Sequence, residues 1–383
     1  MTSDEMKNWI AGAFERQFGQ PAGEFFASAG RINLIGEHTD YNGGYVFPGA
    51  IDKVIMAEIR PNGTDKVNAL SLDLDTFATF GLREEDAPSE GWARYIFGVC
   101  REMQKRGWKV EGFDVVFAGN VPLGAGLSSS AALESCFAFA LSDLFNDGKV
   151  EKRDLALIGQ STEHNYCGVN CGIMDQFASV FGKEGQLIRL DCRNMEYEYF
   201  PFHADGYRLV LVDSVVKHEL KDSPYNKRRE SCERVAAKLG IETLRDADFE
   251  MLEAVKGEIS DEDYRRARFV IGEKERVLDV CEALERNDFE TVGRKMYETH
   301  EGLSKDYEVS CEELDFLNDV AKACGVTGSR IMGGGFGGCT INLVADDLYE
   351  PFIERVRKDF AAKYGHEPKI YDVVISDGAR KLK

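Results

Sequence analysis

The chain has 383 residues, 43% of them apolar, and 47 Lys+Arg against 67 Asp+Glu give a formal net charge of −20. That length and apolar content suit about two domains with cores of their own, while the negative charge excludes a polyanion-binding role unless a local patch reverses the field. Ten cysteines without CxxC pairs, an acidic rather than basic N-terminal stretch and no apolar run of bilayer length lead us to expect reduced thiols and a cytoplasmic protein with neither nucleic-acid nor membrane partners.

Residues 4–18 have the spacing of an amphipathic helix. In GRINLIGEHTDYNGG (30–44), Ile32, Leu34 and Ile35 anchor a segment whose polar side chains lie among glycines and turn formers. Polar groups held in place by a core suit a small, hydroxyl-rich ligand, because each hydroxyl both donates and accepts. KVIMAEIR (53–60) and KVNALSLDLD (66–75) have strand period, WARYIFGVCREMQKRG (92–107) reads as a helix that stops at Gly107, and GFDVVFAG (112–119) as a strand feeding a glycine-rich loop. Residues 128–182 look mostly helical, after which QLIRLD (186–191), YEYFPF (197–202) and YRLVLVDS (207–214) look like strands. Helical spacing returns over 224–325. The chain then closes with a second glycine-rich stretch, the strand TINLV, a helix near 349–364 and the strand KIYDVVIS. These patterns predict an α+β protein in two lobes, 1–200 and 201–383, with no internal repeat.

The loop GNVPLGAGLSSSAALE (119–134) follows a strand and opens a helix, which puts Ser128, Ser129 and Ser130 at the helix N-terminus. Free backbone N–H groups and the positive end of the dipole make an anion site there, and glycines let a phosphate approach the main chain. A Walker A motif needs a lysine that this loop lacks, so phosphate charge falls to N–H groups, Mg²⁺ and a distant arginine. Taken alone, the same pattern also fits a tight turn with serine caps. In IMGGGFGGCTINLV (331–344), Gly333, Gly335 and Gly338 have GxGxxG spacing, but the following Thr340, Ile341 and Val344 predict a strand where a dinucleotide fold requires a helix. That leaves a loop whose backbone approaches a ligand or another loop, or a hairpin turn with no ligand. In EHNYCGVNCGIMDQFAS (163–179), His164, Cys167 and Cys171 lack a fourth ligand and a zinc spacing. Asp175 lies in an otherwise apolar stretch, where a helix cap is the alternative to a functional carboxylate, and Glu163 by default is a surface acid.

In this order the four stretches resemble the GHMP family of small-molecule kinases over almost the whole chain. GRINLIGEHTDYNGG is similar to the signature of the family's galactose-phosphorylating members, PLGAGLSSSAALE to its ATP loop, CGIMDQ to its catalytic segment and GGGFGGC to its third motif. The resemblance implies a two-lobed GHMP fold with mixed or antiparallel sheets and an active site in the cleft between lobes. The signature and the phosphate loop would lie in 1–200 and the third motif in 201–383, with the last strand a candidate to return to the first lobe. It implies transfer from ATP, with Mg²⁺, to the anomeric hydroxyl of α-D-galactose, giving galactose 1-phosphate. Arg31 matches the family's transition-state arginine and Asp175 its catalytic aspartate. Glu37, His38, Asp40, Gly172 and Tyr225 match sugar-binding residues. Gly124, Ala125, Gly126, Leu127, Ser128, Ser129 and Ser130 match the loop around the ATP phosphates, and Ser130 and Glu163 the Mg²⁺ ligands. The rivals are a sister kinase for N-acetylgalactosamine or another pyranose, which the intact EHTD segment disfavours, and a non-catalytic galactose and ATP sensor, which the undamaged loop with Arg31 and Asp175 disfavours. One departure is Ala29, where family members usually carry a proline that would stiffen the approach to Arg31.

Overall fold

The computed structural model describes residues 1–122, 124–216 and 225–383; Leu123 of the first glycine loop and Ser223 and Pro224 of SPYNKRRESCE lie outside them. Helix α1 (Ser3–Phe18) opens with a capping box between Thr2 and Glu5 and buries Met6, Ile10, Ala13 and Phe14, one stripe of a 3.6-residue period. That stripe packs on one face of a six-stranded sheet, against Ala27, Met56, Val116 and Ala118. The sheet combines β1 (Glu24–Asn33), β3 (Pro48–Pro61), β4 (Lys66–Ser71), β5 (Thr76–Gly81), β6 (Phe113–Gly119) and β13 (Arg380–Leu382), in the order β13-β1-β3-β6-β4-β5. All its pairings are antiparallel except β4 with β6. Its other face carries α2 (Gly91–Lys105), α3 (Ser129–Asn146), α4 (Lys152–Thr162) and α5 (Met174–Phe181), whose apolar side chains share the largest core with Phe26, Ile55, Val115 and Phe117.

A small sheet of β2 (Tyr45–Val46), β7 (Gln186–Asp191) and β8 (Tyr197–Pro201) adjoins this layer. A four-stranded antiparallel sheet follows in the order β10-β11-β9-β12, from β9 (Tyr207–Asp213), β10 (Gly328–Ile331), β11 (Cys339–Ala345) and β12 (Lys369–Val373). Along β9 the period-2 alternation serves two cores. Leu209 and Leu211 join the large core, while Val210 and Val212 meet α10 (Glu312–Ala323) and α11 (Tyr349–Tyr364) through Leu317, Phe352 and Val356. Between β9 and β10 run α6 (Tyr225–Leu239), α7 (Phe249–Val255), α8 (Asp261–Glu285) and α9 (Phe289–Lys305), with a further core around Val235, Phe269, Leu303 and Tyr307. Among the described residues no helix is long and apolar enough to cross a membrane.

Three features place functional segments. Residues 332–338 form the connection of the β10–β11 hairpin, in which Ile331 pairs with Thr340, and this loop reaches the first glycine loop: a β-carbon on Gly126 would lie 3.3 Å from the Met332 carbonyl. The hairpin and the loop-to-loop approach are therefore both present. Strand β1 breaks register between Ala29 and Arg31, and such a bulge turns the following side chain. Ala29 itself is fully buried and pairs with Val54.

Candidate active site

One cavity of about 620 Å³ collects the predicted polar residues. Arg31, Glu37, His38, Asp40, Gly124, Gly126, Leu127, Ser128, Ser129, Ser130, Glu163, Gly172, Asp175 and Tyr225 all line it. Ala125 does not. It is fully buried and anchors the loop from behind.

The loop from β6 to α3 has left-handed backbone at Gly124 (φ 76°), Gly126 (φ 78°) and Ser128 (φ 56°). The two glycines take this conformation without the strain that a β-carbon brings. Ser128 occupies the N-cap position of α3, yet its side chain caps nothing. Its hydroxyl instead donates to the Asp175 carboxylate, so the first N–H groups of α3 are left without that cap.

Arg31 enters from the β1 bulge. Its backbone N–H donates to the Leu127 carbonyl at 3.1 Å, and Gly30 lies so close that a β-carbon there would come 2.7 Å from the same oxygen. The guanidinium grips Asp175 with two bonds, Nε to Oδ1 at 2.8 Å and Nη2 to Oδ2 at 2.9 Å, and Nη1 reaches the Gly126 carbonyl at 2.5 Å. Burial disfavours this charge, but Asp175, Glu37 and Asp40 outweigh it and raise the Arg31 pKa. Asp175, in the first turn of α5, keeps 28% of its side chain exposed whereas Arg31 keeps 4%. The carboxylate is thus fixed by arginine and serine and still open to the cavity.

Across the cavity Glu37 is held from below: Arg330 Nη2 approaches its Oε1 at 3.0 Å, and the Gly333 N–H donates to the same oxygen at 2.9 Å. His38 has φ 62°, and its Nδ1 lies 2.7 Å from the Tyr41 hydroxyl. Burial drives the imidazole pKa down to about 3, aided by the Arg228 charge, with the Gly334 backbone acting weakly the other way. The Asp40 pKa is pushed up to about 7, first by burial and then by the neighbouring Asp175 carboxylate. Its side chain presses on Gly172, where a β-carbon would fall 2.0 Å from Oδ2. Only glycine fits there. Tyr225, the first described residue of α6, closes this side, its ring 5.4 Å from that of His38.

Glu163 begins a wide helical turn, Glu163–Cys167, and is buried. Burial raises its pKa to about 7; a hydrogen bond from Ser130 opposes the shift and Asp175 adds to it. The two side chains offer one hydroxyl and one carboxylate oxygen to the same corner of the cavity. Hard divalent cations take such ligands, and Mg²⁺ in particular uses one or two carboxylates beside water and phosphate oxygens. Among the described residues there is no group of three or more His, Cys, Asp or Glu side chains able to hold a metal ion. A divalent ion here would therefore draw most of its ligands from elsewhere.

Other wall residues escaped the sequence patterns. Arg94 and Tyr95 from α2 and Gly334 from the hairpin also line the cavity, and helix period alone assigns the first two to an ordinary amphipathic face. Glu134 is fully buried in α3, accepts from Gln176 Nε2 at 3.1 Å and has a pKa raised well above the usual range by burial and by Glu163. The signal was present, since a lone acid in AALESCFAFA is as anomalous as Asp175 is in its own stretch.

Comparisons with known proteins agree with this geometry. Residues 94–183 match the GHMP kinases N terminal domain, 281–362 the GHMP kinases C terminal domain and 12–61 the galactokinase galactose-binding signature. Fold and phosphate loop together define the class, an ATP-dependent small-molecule kinase of the GHMP family with its two-domain α+β fold. A mevalonate kinase from Methanococcus jannaschii shares that fold with a TM-score of 0.67 at 16% identity, over 94% of this chain and 100% of its own. Within the family the chain belongs to the galactokinases. It is 40% identical to galactokinase of Clostridium beijerinckii over 98% of this chain and 99% of the relative, and 41% identical to that of Thermotoga petrophila over 92% and 98%. The crystal structure of Lactococcus lactis galactokinase complexed with galactose superposes with a TM-score of 0.92 at 35% identity, covering 97% of this chain and 98% of the other.

Proposed function

We propose that the chain transfers the γ-phosphoryl group of ATP to the anomeric hydroxyl of α-D-galactose, giving α-D-galactose 1-phosphate and ADP. The observation that carries this reading is the Asp175 carboxylate, held by Arg31 on one side and Ser128 on the other while open to the cavity. An ionised carboxylate has about four lone-pair sites, and three are taken by these contacts, which leaves one for the proton of an incoming hydroxyl. Phosphoryl transfer asks the protein mainly for positioning and charge stabilisation. The loop 124–130 cradles the phosphates with backbone N–H groups. Arg31 offsets charge on the transferring group. Glu37, His38, Asp40, Gly172 and Tyr225 fix the sugar on the opposite wall.

Ser130 and Glu163 would hold Mg²⁺. The fit rests on Glu163 itself, a buried carboxylate with a hydroxyl at hand, whose pKa burial raises to about 7 against the opposing hydrogen bond from Ser130. The ion, when bound, neutralises charge on the triphosphate. The reading also assigns the sugar signature and phosphate loop to residues 1–200 and the third motif to 201–383, and places the enzyme in the cytoplasm.

The test is ADP release over a panel of aldohexoses and their N-acetylamino forms. Galactose should be used, and glucose rejected by up to ~10⁴-fold, because the wrong epimer leaves buried polar groups unpaired. Glucose turnover within about tenfold of galactose defeats the assignment.

A further inference from the structure

Behind His38 runs a chain of hydroxyls that the phosphoryl-transfer reading does not use. The Tyr41 hydroxyl lies 2.7 Å from His38 Nδ1 and 2.8 Å from the Tyr307 hydroxyl, which lies 3.3 Å from Cys232 Sγ. Tyr307 and Cys232 are buried, and none of Tyr41, Tyr307 and Cys232 lines the cavity. The rings pack as a block, with the His38 centroid 4.8 Å from Tyr307 and 5.8 Å from Tyr41. His38 is 4% exposed, and its Nε2, across the ring from Nδ1, makes no close hydrogen bond among the described residues, although the Gly334 backbone lies near enough to the ring to favour its protonated form.

The chain can run in two directions, and the far end chooses between them. Asn42 Nδ2 donates to the His38 carbonyl at 2.9 Å. A carbonyl only accepts, so the amide orientation is settled. The same side chain also hydrogen-bonds Cys232 and, like Tyr307, favours its thiolate, so the sulfur is already engaged by an N–H, while at the Cys232–Tyr307 and Tyr307–Tyr41 links either atom can donate. Acceptor strength favours the direction in which Tyr307 donates to Tyr41, and Tyr41 to His38 Nδ1. In the reverse direction Tyr307 would end the chain on a thiol sulfur that is a weak acceptor and already engaged, while the imidazole nitrogen, a much better acceptor, would be spent as a donor.

We propose that Tyr41 and Tyr307 are positioning residues that lock His38 as the Nε2–H tautomer, so that it presents a hydrogen-bond donor to a ligand oxygen in the cavity. The depressed imidazole pKa keeps the ring neutral, which gives the tautomer its meaning. A sugar hydroxyl facing His38 must then accept there and donate its own hydrogen bond to a carboxylate of the same wall, Glu37 or Asp40. The identity of that oxygen rests on the galactose reading; the tautomer does not.

The test is a two-bond ¹H–¹⁵N spectrum of the full-length chain without sugar, with His38 assigned through the signals lost in His38→Gln. Wild type should show the pattern of a neutral ring protonated at Nε2. Tyr41→Phe should shift it toward the Nδ1–H form and raise KM for galactose on the order of tenfold, the consequence of an unpaired buried nitrogen, with kcat and KM for ATP changed by less than about twofold. Tyr307→Phe leaves Tyr41 free to donate, so it should keep the tautomer and raise KM less. A wild-type ring protonated at Nδ1, a Tyr41→Phe ring unchanged from wild type, or a shifted ring with unchanged KM overturns the proposal. The wild-type spectrum decides even if a variant fails to fold. Wild-type protein that turned over no galactose would defeat the proposed function and leave the tautomer result standing.

Discussion

Two buried arginine–carboxylate pairs border the cavity, and they differ in what surrounds the carboxylate. Arg330 and Glu37 are both closed off, at 0% and 3% side-chain exposure. Arg330 donates to the carbonyls of Asn33, Leu34 and Ile331 as well as to Glu37, so its donors are directed at protein atoms that fix the turn after β1. Arg31 is as deeply buried, but its partner Asp175 is 28% exposed. The first arrangement is a clamp and the second a clamp with one side open. A buried ion pair is weak support for net stability; what distinguishes these two is how much of the carboxylate lies open to the cavity that Glu37 and Asp175 both line.

Asp175→Asn keeps the shape of the open pair and removes its charge. General-base help is typically worth about 10²–10⁴ in rate, so kcat should fall by that factor while galactose affinity, measured by calorimetry, changes little, as for an interaction made in the transition state. Near wild-type turnover, or a defect traced by circular dichroism to unfolding alone, would return Asp175 to the role of a helix cap. Arg330→Met should act in the opposite currency. It strands Glu37 as a buried charge and leaves three carbonyls short of a donor, so unfolding by urea should show a loss of roughly 3–5 kcal/mol. If Arg330→Met cost little stability and mainly slowed turnover, the distinction between the pairs would be lost.

The same contrast marks what the sequence could disclose. α2 and α11 were legible because each has one clear period, β9 because LVLV is a short unbroken apolar run, and Asp175 because it is a charge in an apolar stretch. β1 was hard to read as a strand: EFFASAGRIN is buried on both faces from Phe26 onward, which erases the alternation of a half-buried strand. β10 is short and draws its stability from pairing with β11, a long-range fact. The site's polar wall could be named from motif spacing, but Arg330 could not, since its partners Asn33, Leu34 and Glu37 lie almost three hundred positions earlier. Nor did any pattern show Ser128 turning from cap to Asp175 ligand.

A third carboxylate, Glu163, has a hydroxyl for a neighbour where the two pairs have arginine. Glu163→Gln and Ser130→Ala should each weaken Mg²⁺ dependence of turnover on the order of tenfold, as loss of one ligand from a water-rich octahedral site implies, with galactose binding intact by calorimetry. Wild-type metal dependence in both variants would remove these residues from the Mg²⁺ site.

The smallest expected effect concerns Asp40, which faces Asp175 with no clamp of its own. Its pKa is about 7 in the folded chain, against an ordinary 3.8. Below pH 4 it is protonated folded or unfolded and contributes nothing. Between about pH 4 and 7 the folded state keeps a proton that the unfolded state has released, so stability falls as pH rises through this window and levels off above it. Asn is neutral throughout and escapes that loss. The melting temperature of Asp40→Asn should therefore exceed that of wild type by on the order of 2 °C more at pH 8 than at pH 5, by calorimetry without sugar, although galactose binding suffers because an amide N–H₂ now points where a carboxylate accepted. A melting difference that is the same at both pH values would mean that Asp40 is ionised in the folded chain at pH 5, and that the open side of the Arg31–Asp175 pair already shields it.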